Sequence, residues 1–213
     1  LMDMERSAQR AVITNLSPNH LDVHKDMDEY IEAKKNVYKY QGTDGLLVVN
    51  ADNAITAPLL GNGETRYFSR QQRPENGTYL ENGTIYRVKN GVSQEVMPME
   101  TILLPGIHNV ENYMTAIAVT DGLVSDDTIR QVAATFGGVE HRIELVRIKD
   151  GVRFYNDSIA SSPSRTIAGL KSFAEKVCLI AGGYDKHIPY DVLGPEVCAH
   201  VKKLFLCGAT APK

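Results

Sequence analysis

The chain of 213 residues has few cysteines and no long hydrophobic run. Its three cysteines, Cys178, Cys198 and Cys207, have neither the spacing of a metal site nor that of a redox pair. Their neighbours in sequence are apolar, so we expect buried free thiols in a reducing compartment, and hence a cytoplasmic protein. No apolar run approaches the roughly 18–20 residues that span a bilayer, which argues against a membrane protein.

Positive charge is scarce as well. The formal net charge is −3, so the chain lacks the basic field of a protein whose main partner is nucleic acid. An anionic ligand would have to be bound by local cations, helix N-termini or a metal ion. The sequence also contains no Gly-x-x-x-x-Gly-Lys-Ser/Thr loop, the segment that usually surrounds a triphosphate. Its content of 43% hydrophobic and 23% charged residues is ordinary for a globular protein.

The first fifty residues follow a strand–helix–strand pattern. The apolar run Ala11–Leu16 predicts a buried strand that ends in a loop, and Gly45–Asn53 predicts a second strand. Between them, Asp26 has the spacing of a helix N-cap, and apolar residues recur at helical intervals until Gln41-Gly42 ends the helix. Two strands joined by a helix form a βαβ unit, so we expect an α/β fold with a parallel sheet.

The region from about residue 64 to 104 is rich in β-forming residues. Asn-Gly pairs at 76–77, 82–83 and 90–91 are strong signals for hairpin turns. We therefore expect a small antiparallel patch that serves as scaffold.

Paired glycines at 137–138 indicate a domain boundary, since they follow two predicted helices. Beyond them the pattern restarts with a hairpin, a helix opened by Pro163, and two strands on either side of another helix. This order predicts a second α/β domain that is unfinished. We expect one domain over residues 1–138 and another over residues 139–213.

Polar residues cluster in the loop after the first strand. His20, Asp22 and His24 combine imidazole and carboxylate groups, a set that suits a divalent metal such as Mg²⁺. On the helix that follows, Lys34 shares a face with tyrosines four positions away on either side, whereas Lys35 lies on another face. From these residues alone, a solvent-facing loop and two exposed lysines are the favoured interpretation.

Two asparagines and an arginine are candidate nucleotide contacts. Asn109 and Asn112 stand at the start of a helix, where amide groups can bind a purine or ribose and free N–H groups favour anions. Capping of the helix by Asn109 is the alternative. Arg142 adjoins the predicted domain boundary, where a guanidinium can bind a phosphate through two hydrogen bonds, although a surface cation is the plainer interpretation.

Small polar residues also follow two strands of the second domain. The strand VRFY is followed by Asn156, Asp157 and Ser158 and then by Ser161, and Lys186 follows a Gly-Gly turn after KVCLIA. Ligands of open α/β sheets bind at such strand ends. The alternatives are a helix cap for the first group and an ordinary turn for the second.

Six motifs occur in order along the chain: NLSPNHLDVH, YIEAK, LPGIHNVEN, EHRIE, FYNDSIASSP and GGYDK. In this order and at roughly this spacing, they resemble the Mur ligases over essentially the whole chain. The resemblance implies an incomplete Mur ligase central domain, with a parallel sheet and a small antiparallel patch, followed by a truncated Rossmann-like C-terminal domain. It also implies a fragment, since the family's N-terminal domain, phosphate loop, an acidic metal ligand and C-terminal end are not found in these residues.

The resemblance implies a metal site built around two residues. His20 matches a histidine that coordinates Mg²⁺, and Lys34 matches a lysine that is carbamylated in the family. An ammonium group, with a usual pKa of about 10.4, cannot ligate a metal, whereas a carbamate is an anionic oxygen ligand. We therefore expect His20 and Lys34 to be catalytic and metal-binding, and His24 is not required by the family pattern.

The resemblance also implies roles in binding the nucleotide and the amino acid. The matched residues are Asn109, Asn112, Arg142 and Asp157 for ATP, and Ser161 and Lys186 for D-glutamate. Ile159 stands where many relatives have a lysine, so we expect that contact to be missing.

The implied activity is ATP-dependent amide formation through an acyl phosphate in peptidoglycan synthesis. The motifs NDSIASSP and GGYDK favour the branch that adds D-glutamate to UDP-N-acetylmuramoyl-L-alanine, with ATP and Mg²⁺ as cofactors and a monomeric protein. We expect the chain by itself to be inactive. Two alternatives stay open. One is another member of the superfamily, such as an L-alanine-adding or folylpolyglutamate ligase, and the other is a non-catalytic nucleotide-binding module.

Overall fold

The computed structural model describes residues 1, 4–18, 23–186 and 188–212. The chain divides into two compact units. The first comprises Leu1–Ser17, His24–Leu103 and His108–Phe136, and the second is formed mainly by Gly137–Lys213. The assignment of residues 1–138 and 139–213 to two ligase domains stays a prediction.

A six-stranded sheet forms the centre of the first unit, with its strands in sequence order. The strands are β1 (Arg10–Ile13), β2 (Leu46–Asn50), β3 (Glu64–Ser69), β4 (Gly77–Glu81), β5 (Thr84–Lys89) and β6 (Val92–Pro98). Neighbours from β1 to β4 pair in parallel, and those from β4 to β6 pair antiparallel. The predicted parallel sheet and antiparallel strands are therefore confirmed, but they form one continuous sheet rather than a sheet and a separate patch.

Two of the three predicted Asn-Gly hairpins are confirmed. At 82–83 and 90–91 both residues have positive φ, between 49° and 77°, as a two-residue hairpin turn requires. The pair at 76–77 is not a hairpin, because β4 pairs in parallel with β3. Gly77 has a φ of 131°, and a Cβ at this position would lie 1.8 Å from the carbonyl oxygen of Tyr67. This glycine therefore permits the close approach of a neighbouring strand.

Three helices accompany this sheet: α1 (Met27–Lys35), α2 (Ile107–Thr120) and α3 (Asp126–Thr135). The predicted cap of α1 is confirmed, since the Asp26 carboxylate accepts a hydrogen bond of 2.9 Å from Glu29 N. The predicted end at Gln41 is wrong, because α1 ends at Lys35. The buried Gln41 amide instead donates to the backbone around β1 and β2. In the described part of the chain, no helix has the length and apolar character needed to cross a membrane.

The core of the first unit lies on both faces of β2. Leu47, Val48 and Val49 are fully buried, which is typical of a strand covered on both sides. Tyr30 of α1 packs into a cluster with Leu47 and Val49. On α2, Met114 is also fully buried. This packing fixes both helices to the sheet and so sets the direction of the polar side chains that they carry.

The second unit contains a hairpin and a separate strand–helix–strand segment. Its elements are β7 (Glu144–Lys149), β8 (Val152–Asn156), α4 (Pro163–Leu170), β9 (Val177–Gly183), α5 (Leu193–His200) and β10 (Val201–Gly208). The hairpin of β7 and β8 is antiparallel, and β9 pairs in parallel with β10. The predicted elements of this region are therefore confirmed.

The prediction of buried cysteines is wrong. Cys178, Cys198 and Cys207 are free thiols, as expected, but all three are exposed. Two of them lie on β9 and β10, which form a sheet of only two strands whose apolar side chains face outward. Ile180, for example, is 76% exposed. Apolar neighbours in sequence do not bury a thiol when the sheet around it is this narrow.

Candidate active site

The residues expected from the resemblance lie on both units, and each unit is described by itself. Lys34, Asn109 and Asn112 belong to the first unit. Arg142, Asp157, Ser161 and Lys186 belong to the second. His20 and Asp22 lie outside the described residues, so their predicted metal roles stay predictions.

Lys34 lies against a tyrosine ring, as its spacing predicted. The Nζ atom of Lys34 is 5.2 Å from the centroid of the Tyr30 ring, a distance typical of a cation–π contact. The ring of His24 lies beside the same tyrosine, with 5.2 Å between the two centroids. Because Tyr30 is fixed in the core, it holds Lys34 in a defined, half-buried position at the end of α1.

The two neighbouring lysines differ in their ionic partners. Lys35 Nζ lies 2.5 Å from Glu32 Oε1, and this hydrogen bond raises the pKa of Lys35 and lowers the pKa of Glu32. Lys34 has no carboxylate partner among the residues that the structure describes. Chemical modification of the Lys35 amine would have to break an ion pair, whereas modification of the Lys34 amine would not.

The donor set fits a magnesium site only in part. Outside the undescribed positions 2–3, 19–22, 187 and 213, no three His, Cys, Asp or Glu side chains form a metal-binding group. The buried Nδ1 atom of His24, next to Tyr30, has no hydrogen-bond partner in the described part of the chain. Oxygen ligands are what Mg²⁺ prefers, and the ammonium of Lys34 offers none. A carbamate on Lys34 would supply that oxygen, so the fit depends on this modification.

Asn109 and Asn112 meet in the first turns of α2. The Nδ2 atom of Asn112 donates a hydrogen bond of 3.2 Å to Oδ1 of Asn109. Asn109 is 7% exposed, whereas Asn112 is exposed to solvent. The alternative that Asn109 caps the helix is wrong, because it is already the third residue of α2. Two amides joined in this way form a polar patch whose outer member can contact a ligand.

Sequence reasoning missed a polar network at the carboxyl ends of β2 and β3. The Asp52 carboxylate accepts hydrogen bonds from Ser69 Oγ at 2.5 Å and from Arg70 N at 2.7 Å. Arg70 Nε in turn lies 2.6 Å from Glu111 Oε1 on α2. The only signal in the sequence was that polar residues end both strands. The network ties α2, which carries Asn109, to the carboxyl edge of the sheet, where open α/β sheets generally bind ligands.

In the second unit, a strained turn joins Arg142 to Asp157. His141 and Ile143, on either side of Arg142, have φ values of 65° and 47°. Positive φ is uncommon outside glycine and is an outlier for a β-branched residue. The Asp157 carboxylate holds this turn, since its Oδ1 atom accepts a hydrogen bond of 3.1 Å from Ile143 N. The Arg142 side chain itself is exposed.

The two residues expected to bind D-glutamate are in direct contact. Lys186 Nζ donates a hydrogen bond of 3.0 Å to Ser161 Oγ. Ser161 lies in the loop after β8, and Lys186 lies in the loop after β9. The alternative of a helix cap does not apply to Asp157, because α4 is preceded by Ser162.

Gly169 is a further residue that sequence reasoning missed. It lies on α4, and a Cβ at this position would come within 2.8 Å of Asp157 Oδ2. One carboxylate oxygen of Asp157 therefore contacts the turn around Arg142, and the other packs against a helix that has no side chain at this point. Nothing in the sequence near Gly169 indicates this role, because the contact is made across the fold.

The largely parallel sheet and its flanking helices place the chain in the α/β class of folds. Comparisons with known proteins identify the family. The family model described as the Mur ligase middle domain matches residues 3–120. The chain therefore belongs to the Mur ligase family, and the resemblance found in the motifs is confirmed.

Curated relatives narrow the similarity further. The chain is 54% identical over its whole length to the UDP-N-acetylmuramoylalanine–D-glutamate ligase of Acetivibrio thermocellus. It is 51% identical, again over its whole length, to the ligase of the same name from Clostridium beijerinckii. In both comparisons it covers 46% of the relative. The chain thus spans about half the length of the curated relatives it matches.

Solved structures of the family share the fold. The MurF structure from Acinetobacter baumannii matches 93% of this chain and 50% of its own chain, with a TM-score of 0.66 and 17% identity. The MurF ligase of Thermotoga maritima, solved in complex with ADP, matches 97% and 54%, with a TM-score of 0.63 and 15% identity. At these identities the likeness concerns the fold alone. It confirms the predicted fold class, a Mur ligase α/β fold with a largely parallel sheet.

Proposed function

We propose that the chain is part of an ATP-dependent ligase that joins D-glutamate to UDP-N-acetylmuramoyl-L-alanine. The single observation that carries the proposal is the hydrogen bond of 3.0 Å between Lys186 and Ser161. A lysine ammonium fixed by a hydroxyl at the carboxyl ends of two strands suits an amino acid with several carboxylates. Identity of 46–54% to eight D-glutamate ligases over the whole chain supports the choice of amino acid.

The proposed reaction has two steps. The terminal carboxylate of UDP-N-acetylmuramoyl-L-alanine attacks the γ-phosphorus of ATP, which forms an acyl phosphate and releases ADP. The amine of D-glutamate then attacks the acyl carbon, loses a proton, and expels inorganic phosphate as the amide forms. Negative charge accumulates on phosphate oxygens in both steps, so fixed cations at these oxygens lower the barrier.

Nucleotide binding is proposed for four side chains. Asn109 and Asn112 offer amide groups at the start of α2, where purine or ribose can be bound through hydrogen bonds. Arg142 offers an exposed guanidinium, which can bind phosphate oxygens through two hydrogen bonds. Asp157 holds the turn that carries Arg142, and its carboxylate can also accept from ribose hydroxyls.

His20 and a carbamylated Lys34 are proposed to hold Mg²⁺. The support for Lys34 is its half-buried position on Tyr30 and the absence of a carboxylate partner in the described residues, in contrast to Lys35. When bound, Mg²⁺ would neutralise phosphate charge. Tyr30 orients the Lys34 side chain, and its apolar surroundings limit access of water to the modified amine.

Partners and location follow from the same proposal. The partners are small molecules, namely ATP and the two substrates, and the protein acts as a monomer in the cytoplasm. The supports are the three free cysteines, which a reducing compartment would maintain, and the net charge of −3, which does not favour nucleic acid.

The decisive experiment uses the complete protein that contains this chain. With UDP-N-acetylmuramoyl-L-alanine and ATP present, ADP release should depend on D-glutamate and not on L-glutamate or L-alanine. Activity with UDP-N-acetylmuramate and L-alanine would instead indicate another ligase of the family. Nucleotide binding without any amino acid-dependent ADP release would indicate a non-catalytic module.

A further inference from the structure

The strained turn before β7 is held by more than Asp157. Glu144 Oε2 accepts a hydrogen bond of 2.7 Å from His141 N, and Ile159 N donates to His141 O at 3.3 Å. Together with the bond from Ile143 N to Asp157, these contacts fix the backbone on both sides of Arg142. Strain of this kind persists only where the surroundings over-determine it, and it is concentrated at functional sites.

Asn156 determines which ring nitrogen of His141 carries the proton. Its Oδ1 atom accepts a hydrogen bond of 3.1 Å from Ser158 N. A backbone N–H can only donate, so the end of the amide that faces Ser158 must be the oxygen. The Nδ2 end then lies 2.8 Å from His141 Nδ1. An amide nitrogen cannot accept, so Nδ1 must be the acceptor. This contact therefore requires the ring proton to be on Nε2.

Glu144 does not compete for the ring in this state. Its Oε2 atom is 3.6 Å from His141 Nδ1, too far for a hydrogen bond. The His141 side chain is 59% exposed, which leaves room for a ligand beside the ring. The neighbouring Arg142 side chain is also exposed. Two donors, an imidazole N–H and a guanidinium, thus project from adjacent positions of one rigid turn.

We propose that Asn156 is a positioning residue that locks His141 in the Nε2–H tautomer, so that His141 and Arg142 together bind the phosphate oxygens of the nucleotide. The nature of the ligand rests on the proposed function. The tautomer lock is independent of the proposed function, since it follows from contacts within the second unit. Both donors favour anionic oxygen, and the fixed backbone of the turn keeps their two side chains on adjacent positions.

The lock is tested by NMR on the 213-residue chain labelled with ¹⁵N. At a pH well above the usual imidazole pKa of about 6.5, His141 should show a protonated Nε2 and a bare Nδ1. Asn156→Asp keeps the shape of the side chain but replaces the donor with an acceptor, so the proton should move to Nδ1. Asn76→Asp is the control, because it adds the same charge and keeps the acceptor for Asn90 N. Unchanged His141 tautomers in Asn156→Asp would overturn the lock.

Ligand binding is tested by titrating the same chain with pyrophosphate. The Nε2–H signal of His141 should shift in the unaltered chain and in Asn76→Asp. In Asn156→Asp, where the proton is expected on Nδ1, pyrophosphate should leave the ring nitrogen signals of His141 unchanged. No shift in the unaltered chain would overturn the assignment of His141 to phosphate, whether or not the ligase reaction is found.

Kinetics of the complete protein separate positioning from mere folding. Asn156→Asp should raise the KM for ATP roughly tenfold, the size expected for losing one hydrogen bond to a charged group, and the KM for D-glutamate by less than about twofold. In a His141→Gln background the same change should have little effect, because a glutamine amide donates without a tautomer. An equal increase in the KM for ATP in both backgrounds would mean that Asn156 has only a structural role.

Absence of any ATP-dependent turnover would refute the proposed function and leave the NMR result unaffected.

Discussion

Lys186 and Ser161 are 25 positions apart in sequence, yet the lysine ammonium donates a hydrogen bond of 3.0 Å to the serine hydroxyl. Each residue lies in a loop that follows a strand, so the contact joins the loops after β8 and β9. A lysine carries a flexible stem, and a partner of this kind restricts the positions of its charge. The contact therefore limits the positions of the Lys186 charge, which is what the proposed binding of a carboxylate requires.

Replacing Lys186 should affect one substrate more than the other. In the complete protein, Lys186→Ala should raise the KM for D-glutamate at least tenfold, because a charge-assisted hydrogen bond is lost, and should change the KM for ATP by less than about twofold. Initial rates at saturating concentrations of the fixed substrates give both values. Lys203→Ala, which removes an exposed lysine of β10, is the control. Equal increases for both substrates would indicate a structural role for Lys186.

Substitution of Gly169 should weaken ATP binding more than it lowers the free energy of unfolding. Gly169→Ala adds a Cβ within 2.8 Å of Asp157 Oδ2, and the flexible carboxylate can move away at little cost in stability. The free energy of unfolding should change by less than about 1 kcal/mol, since alanine also favours the helix. The affinity for ATP should fall roughly tenfold, because the displaced carboxylate no longer holds the turn of Arg142.

The matched control for this change is Gly194→Ala on α5, where a Cβ would meet nothing within 4 Å. It should give the ordinary helix stabilisation and leave ATP binding unchanged. Calorimetric titration with ATP and urea unfolding provide the two measurements for both variants. Identical ATP affinities in the two variants would show that Asp157 tolerates displacement.

Much of the first unit was predictable because its signals are local. The Asp26 cap of α1 depends on a contact three residues away, and the turns at 82–83 and 90–91 depend on positive φ at adjacent residues. The pair at 76–77 carries the same signal but has another role. A glycine is needed at position 77 because the backbone of Tyr67, on a neighbouring strand, lies too close for a side chain. The sequence near Gly77 gives no sign of this contact.

The candidate site was predictable through its motifs but not in its geometry. The resemblance selected Ser161 and Lys186, whereas their contact depends on how two loops are brought together. The sequence marks Asn156 only as one of the polar residues after a strand, and it gives no sign of Gly169, since each acts through a partner 12 or more positions away. Contacts across the fold are set by packing, and packing cannot be read from spacing alone.

The pH dependence of stability should reflect a buried phenol. Burial raises the pKa of Tyr38 above its usual value, an effect that nearby Lys35 partly opposes. A group whose pKa is raised on folding stabilises the protein fully below its unfolded pKa of about 10, and this stabilisation is lost as the pH rises through the folded value. The free energy of unfolding should therefore fall above about pH 10.

Tyr38→Phe should lose less stability over the same range, because the contribution of the buried Tyr38 phenol is removed. Tyr40→Phe is the control, since Tyr40 is 49% exposed and its side chain already faces solvent in the folded protein. Urea unfolding at about pH 8 and about pH 10.5 measures the difference. The idea fails if the decrease on going to alkaline pH is as large in Tyr38→Phe as in the unaltered chain.

Lys34 and Lys35 provide a matched pair for the modified-lysine proposal. In the complete protein, Lys34→Ala should lower kcat at least a hundredfold, since the proposed oxygen ligand of Mg²⁺ is removed. Short carboxylates such as formate or acetate should restore part of the activity, because they supply an oxygen where the carbamate would be. Lys35→Ala should leave kcat within about twofold, as it breaks only an exposed ion pair with Glu32. Carboxylates that fail to rescue Lys34→Ala, or that stimulate both variants alike, would contradict a carbamate at Lys34.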